Sequence, residues 1–431
     1  MNYYSTENQQ LKRSLKEAVL GGLAPDGGLF MPEKIPVLPK EQIDSFRTRN
    51  FTEIARELAL SLFRGDLEEK DIVQITDSAI HFDTPLVRVE EDVYSQELFH
   101  GPTLAFKDVG ARFMARMLGY FTRDLDREIH VLVATSGDTG SAVASGFWNV
   151  EGVKVFILYP SGGVSRLQEK QLTTLGGNIT ALEIAGTFDD CQKLVKSAFR
   201  DEDLTGRLIL TSANSINLAR LLPQTFYYFN AWARLPDTKE FYVSVPSGNF
   251  GNLTAGLIAG RMGLPVKHYI IATNVNDVVP EYLETGEFHP RPSVPTIANA
   301  MDVGNPSNFA RILDLYGHSH RAIRQDMSAF SYTDEELRET IRDVYQRTGY
   351  LLDPHGAAGY SALKAYGPKA KGIPGVFLET AHPGKFSLTV EEVIQSTVDI
   401  PEQLLEASAK EKSSVKLDSD FALFKDFLIG L

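Results

Sequence analysis

Residues 51–63, FTEIARELALSLF, place Ile54, Leu58 and Leu62 at i, i+4 and i+8. That spacing returns one apolar stripe to the same side of a 3.6-residue helix, so it predicts an amphipathic helix. The first 85 or so residues read as mostly helical. They are interrupted by the turn signal Ala24-Pro25-Asp26-Gly27-Gly28 and by a proline-rich stretch from Pro32 to Pro39. A small N-terminal domain is expected to end near Asp83-Thr84-Pro85.

Beyond about residue 128 the pattern changes to short apolar, β-branched runs separated by helix-length segments. The runs 129–135, 153–159, 179–185, 207–213, 241–246, 266–273 and 375–380 all read as buried strands. Thr187 with Asp190, Thr333 with Glu336, and Thr389 with Glu392 have capping-box spacing and predict helix starts. Such alternation builds βα units, hence parallel sheets covered by helices on both faces. The charged stretch 409–420 is expected to be a loose loop.

A chain of 431 residues exceeds one compact core and suggests two or three domains at roughly 150 residues each. Its 43% hydrophobic and 23% charged content is that of a globular protein. The net charge of −13 repels phosphate backbones and anionic lipid, so nucleic acid and membrane surfaces are poor partners. The amino terminus lacks a signal-peptide pattern, and no apolar run approaches the ~20 residues of a membrane span. The lone Cys191 excludes an internal disulfide and a cysteine-cluster metal site. A cytoplasmic protein without a bound metal is expected; His318-Ser319-His320 has no acidic or cysteine partner at ligand spacing and is given no role.

In open α/β sheets ligands sit beyond the carboxyl ends of strands, and four such junctions are rich in polar and small residues. They are Ser136-Gly137-Asp138-Thr139-Gly140-Ser141, Asn214-Ser215-Ile216-Asn217-Leu218-Ala219-Arg220, Ser247-Gly248-Asn249-Phe250-Gly251-Asn252, and Thr380-Ala381-His382-Pro383. The third runs into the helix-like LTAGLIAG, and main-chain N–H groups at a helix start cradle anions. Neither GxxxxGK[ST] nor GxGxxG occurs, which removes support for nucleotide readings. Upstream, HGPTLAFKD sets Lys107 in an apolar loop before a helix-like segment, where desolvation lowers an amine's proton affinity and makes it nucleophilic. A lysine, an anion cradle and a strand-end hydroxyl at Thr380 are the three attachments pyridoxal phosphate needs.

The motifs APDGGLFMPE, FHGPTLAFKD, ATSGDTGSA, NSINLAR, PSGNFGN and ETAHPGKF occur in this order along the chain. In them the chain resembles the threonine synthases, fold-type II pyridoxal-phosphate enzymes related to the tryptophan synthase β-subunit. The resemblance implies an α/β fold with two parallel-sheet subdomains over residues 86–431 and a small, mostly helical N-terminal threonine synthase domain over residues 1–85. It implies that Lys107 forms the imine to the cofactor, that Gly248, Asn249, Phe250 and Gly251 hold its phosphate, and that Thr380 meets its ring nitrogen. It implies O-phospho-L-homoserine as substrate, its phosphate held by Thr135, Ser136, Thr139, Asn214, Ser215, Asn217 and Arg220. Many fold-type II relatives have asparagine at Asp138; this carboxylate is expected to turn from the ring and cap the helix starting near Ser141. His100 and His382 lie within the motifs, with cofactor contact and loop packing both open. The rival readings are another lyase on this fold, such as a phospho-lyase or threonine dehydratase, and a non-catalytic binder of phosphorylated metabolites.

Overall fold

The computed structural model describes residues 1–123, 125–367 and 372–430. Its strands are β1 (Tyr3–Ser5), β2 (Lys12–Arg13), β3 (Phe30–Pro32), β4 (Leu86–Glu90), β5 (Val93–Glu97), β6 (Ile129–Ala134), β7 (Val153–Pro160) and β8 (Ile179–Ala185). They continue as β9 (Ile209–Ser212), β10 (Phe241–Pro246), β11 (Val266–Thr273), β12 (Met327–Ser331), β13 (Gly375–Glu379) and β14 (Val415–Asp418).

One sheet has the order β14-β8-β7-β6-β9 and is parallel throughout. A second has the order β12-β11-β10-β13-β5-β4, parallel except for the β4–β5 hairpin at its edge. Every residue of β6 and of β10 is buried, because helices cover both faces and leave no polar side to alternate with. Both sheets end their central strands at the same cleft, which β6, β9, β10 and β13 all enter with their carboxyl ends. The fold is thus the fold-type II α/β architecture with two parallel sheets.

In the N-terminal region the helix Phe51–Phe63 buries Ile54, Leu58 and Leu62. Asn50 caps it with Glu53 in a reciprocal box. A small antiparallel sheet, β2-β1-β3, accompanies the helices. Its strands of two or three residues are too short to show an alternating pattern.

Thr187 and Thr333 cap helices as their spacing predicts. Thr389 does not: the 3₁₀ turn Pro383–Phe386 leads directly into the helix Ser387–Ile394, so Thr389 sits inside it. The stretch expected to be a loose loop instead supplies β14, which pairs in parallel with β8 from Val415 against Leu182. The helix Phe421–Ile429 then seals that edge with Phe424 and Leu428. No helix among the described residues is long and apolar enough to cross a membrane.

Candidate active site

Lys107 opens the helix Lys107–Thr122, and its loop is tied to the exit of β13. Phe106 N–H donates to Thr380 O at 2.9 Å and His382 N–H to Leu104 O at 3.1 Å, while the Tyr227 hydroxyl donates to Phe106 O. These bonds set Lys107 beside Thr380, although 273 residues of chain separate them. The turn before the lysine is locked by Asp108, whose carboxylate accepts from Thr103 N–H at 2.9 Å and Thr103 Oγ1 at 2.6 Å. Burial pushes the Lys107 amine down to about 8. The positive end of its helix acts in the same direction.

Lys107 lines one cavity together with Thr135, Ser136, Thr139, Asn214, Ser215 and Arg220. Gly248, Asn249, Phe250, Gly251 and Thr380 line it as well. Asn217 does not. Its amide donates to Val19 O at 2.9 Å and its Oδ1 accepts from Ala219 N–H, so it starts the helix that carries Arg220 from behind the wall.

The glycine loop fits an anion. Phe250 adopts the left-handed region at φ 60°, and the helix Gly251–Arg261 starts there without a side-chain cap. Its leading N–H groups therefore remain available to a ligand. A Cβ at Gly248 would lie 2.4 Å from Ala300 O, so only glycine allows this close approach. Asn252 Nδ2 is buried at the same end of the cavity with no hydrogen-bond partner among the described residues. A lysine poised to lose its proton, a free helix start and the hydroxyl of Thr380 together match the donor set that pyridoxal phosphate requires.

A second group of donors lies on the other sheet. Arg220 is 1% exposed, donates Nη1 to Ala213 O, and has no carboxylate partner among the described residues. Desolvation lowers its proton affinity to about 10. A buried guanidinium without a counter-charge is costly, and an anionic ligand removes that cost. Ser215 Oγ accepts from Asn249 Nδ2 at 3.1 Å and Asn308 Nδ2 at 2.9 Å, which leaves its own proton to donate into the cavity. Arg311, fully buried, holds this loop by donating to Ser215 O and Ile216 O, and to Phe30 O of the N-terminal region.

Thr135, and not Asp138 as expected, serves the helix start. Thr135 Oγ1 accepts from Gly137 N–H at 3.0 Å and Gly140 N–H at 2.8 Å, so its hydroxyl serves the turn before the helix Asp138–Phe147. Asp138 makes no cap. Its Oδ1 instead receives Lys385 Nζ at 2.6 Å and Gln168 Nε2 at 2.9 Å. Burial alone would raise this carboxyl, but the ammonium groups of Lys385 and Lys107 hold it well below its ordinary range.

Two further residues were not singled out in the sequence. Lys385 lies in the quoted ETAHPGKF motif, and its side chain is 0% exposed. His355 lines the cavity, with Nδ1 2.5 Å from Asp353 Oδ1 and Nε2 accepting from Ala300 N–H at 3.2 Å. The signal for Lys385 was a lysine inside an apolar strand-end motif; His355 had none beyond following Asp-Pro. His100 pairs with Glu97 at 2.7 Å, and His382 caps the turn at Gly384; neither lines the cavity. A larger cleft of about 950 Å³ adjoins it through Ala134, Gln192, Asn214 and Asn249.

Comparison with known proteins agrees with this geometry. Residues 78–375 match the model of the pyridoxal-phosphate-dependent enzyme family, residues 2–80 that of the threonine synthase N terminus, and residues 356–428 that of the threonine synthase C-terminal region. The chain is 43% identical over 431 residues to a threonine synthase of Haemophilus influenzae, covering 100% of both. It superposes on the crystal structure of threonine synthase from Escherichia coli with a TM-score of 0.94 at 42% identity, over 100% of each chain. A PLP-bound threonine synthase structure from Brucella melitensis gives 0.91 at 36%, over 99% and 98%.

Proposed function

Since the chain belongs to the threonine synthase family, we propose that it converts O-phospho-L-homoserine and water to L-threonine and phosphate at the cavity around Lys107. It is a pyridoxal-phosphate-dependent lyase. The observation that carries the choice of substrate is Arg220, a buried cation without a carboxylate partner among the described residues, in the same cavity as a separate anion cradle at Gly248–Gly251. Two anion sites suit a phosphorylated cofactor and a phosphorylated substrate together.

When bound, pyridoxal phosphate supplies the electron sink for the carbanions that form at Cα and Cβ. The residues divide the remaining work. Main-chain N–H groups of Gly248–Gly251 bind the cofactor phosphate. Thr380 offers a neutral hydroxyl to the ring nitrogen, which leaves that nitrogen less protonated than a carboxylate partner would. Lys107 forms the covalent link and, once displaced by the substrate amine, takes the proton from Cα. A second proton then leaves Cβ and phosphate leaves Cγ. Cγ gains the proton that completes the methyl group, water adds its oxygen to Cβ, a proton returns to Cα, and the remaining proton leaves on the released phosphate; return of the Lys107 amine to the covalent link then frees threonine.

Arg220 binds the substrate phosphate as a charge-assisted donor. Ser136 and Thr139, which make no side-chain hydrogen bonds to protein among the described residues, add hydroxyl donors with Ser215. Thr135, Asn214 and Asn217 shape this pocket: Asn214 Nδ2 donates to Ala134 O at 2.9 Å and fixes the end of β6. A cytoplasmic location belongs to this proposal, supported by the single, buried Cys191. Product analysis with O-phospho-L-homoserine tests it: threonine with equimolar phosphate is expected, whereas 2-oxobutanoate as the main product would indicate a deaminating lyase.

A further inference from the structure

The ion pair of Lys385 and Asp138 is almost wholly buried, with side chains 0% and 3% exposed. It lies behind the stretch Ser136–Thr139, two members of which line the cavity. Its construction is directional. Lys385 Nζ spans Asp138 Oδ1 at 2.6 Å and Thr103 O at 2.9 Å, and Thr103 is the residue that Asp108 locks in the Lys107 loop. Gln168 Nε2 holds the same carboxylate oxygen at 2.9 Å. One lysine thus joins the strand-end segment bearing Asp138 to the loop bearing Lys107.

We propose that Lys385 is a positioning residue, and that with Asp138 it forms a buried counter-charge set fixing the proton affinity of the Lys107 nitrogen. Asp138 brings an anion near that nitrogen, and Lys385 holds it in place and offsets its charge. Without the offset, an anion in this desolvated setting would trap Lys107 as its ammonium, the form that cannot accept a proton from substrate. The other charged groups acting on Lys107 are Arg220, which opposes protonation, and Asp353, which favours it. Asp353 is partly satisfied by His355. Asp138 is the strongest of the charges acting on the amine, and Lys385 the next.

The inference rests on the reading that Lys107 carries the cofactor, and its test separates the two. The holoenzyme, Asp138→Asn, and the double variant Asp138→Asn/Lys385→Met are titrated by the visible absorbance of the bound cofactor, with circular dichroism confirming the fold. Asp138→Asn leaves Lys385 as an uncompensated cation and is expected to lower the titration midpoint by ~1 pH unit or more. The double variant removes both charges and is expected to return the midpoint to within about 0.5 unit of the parent. A midpoint unmoved by Asp138→Asn, or a double variant no closer to the parent than the single, overturns the proposal. Absence of any visible band that borohydride fixes to Lys107 in the parent would instead overturn the cofactor assignment.

Discussion

Asn249 donates through Nδ2 to Ser215 Oγ at 3.1 Å, so the loop leaving β10 and the loop leaving β9 meet in one hydrogen bond. The first shapes the proposed cofactor cradle and the second presents the donors proposed for the substrate phosphate. Ser215→Ala removes the hydroxyl donor, leaves the Asn249 amide without its acceptor and takes one of two acceptors from the Asn308 amide, which keeps Asn249 O. A drop of about 10-fold in kcat/KM is expected, with Ser215→Thr recovering part of it. Steady-state kinetics at saturating cofactor check this; an unchanged kcat/KM would remove Ser215 from the substrate site.

Lys107→Ala is expected to abolish threonine formation while preserving the fold, because in the proposed reaction covalent attachment and proton transfer reside on one amine. A pH signature accompanies the loss. In the apoenzyme the folded chain releases the Lys107 proton near 8, against 10.5 for an unperturbed lysine. Between those values the unfolded chain binds more protons than the folded one, so this group makes stability rise with pH. Denaturant unfolding of the apoenzyme at pH 8 and pH 10 should show that Lys107→Ala lacks this share of the rise.

Arg220→Ala is expected to lower kcat/KM for O-phospho-L-homoserine by about 10- to 150-fold, since charge-assisted hydrogen bonds are worth ~1.5–3 kcal/mol. Arg220→Lys should restore only part, because an ammonium lacks the planar fork. Full activity of Arg220→Ala would transfer the phosphate site to other residues.

Gly248→Ala places a Cβ 2.4 Å from Ala300 O. The backbone of the Asn299–Met301 turn must move, which opens the cradle that this turn covers. Equilibrium dialysis of the apoenzyme with pyridoxal phosphate should show at least a 10-fold weaker affinity, from a shift on the order of 1.4 kcal/mol. Unaltered binding would show that the cofactor phosphate lies elsewhere.

Much of this site was legible because it consists of contiguous segments. Runs such as IHVLVAT and FYVSVP are mostly apolar and end abruptly in small polar residues, which marks both a buried strand and the loop where a ligand can sit. What escaped depends on partners distant in the chain. The residues just after Asp138 predict a cap, but Thr135 Oγ1 takes the N–H groups of Gly137 and Gly140, and the Asp138 carboxylate is held by Lys385, 247 residues away in sequence. Asn217 shares a motif with Arg220, yet its amide faces Val19 of the N-terminal region. His355 reaches the cavity through the packing of the helix Pro354–Tyr366 on β10 and β13, a relation that no local pattern encodes.

The most direct measurement runs the reaction in ¹⁸O-labelled water, with pyridoxal phosphate and O-phospho-L-homoserine, and follows the label by mass spectrometry. Water attack at Cβ with loss of phosphate from Cγ places one ¹⁸O in the threonine hydroxyl and none in the released phosphate. Label in phosphate, with homoserine as the organic product, would mean that the P–O bond is hydrolysed and would contradict the account.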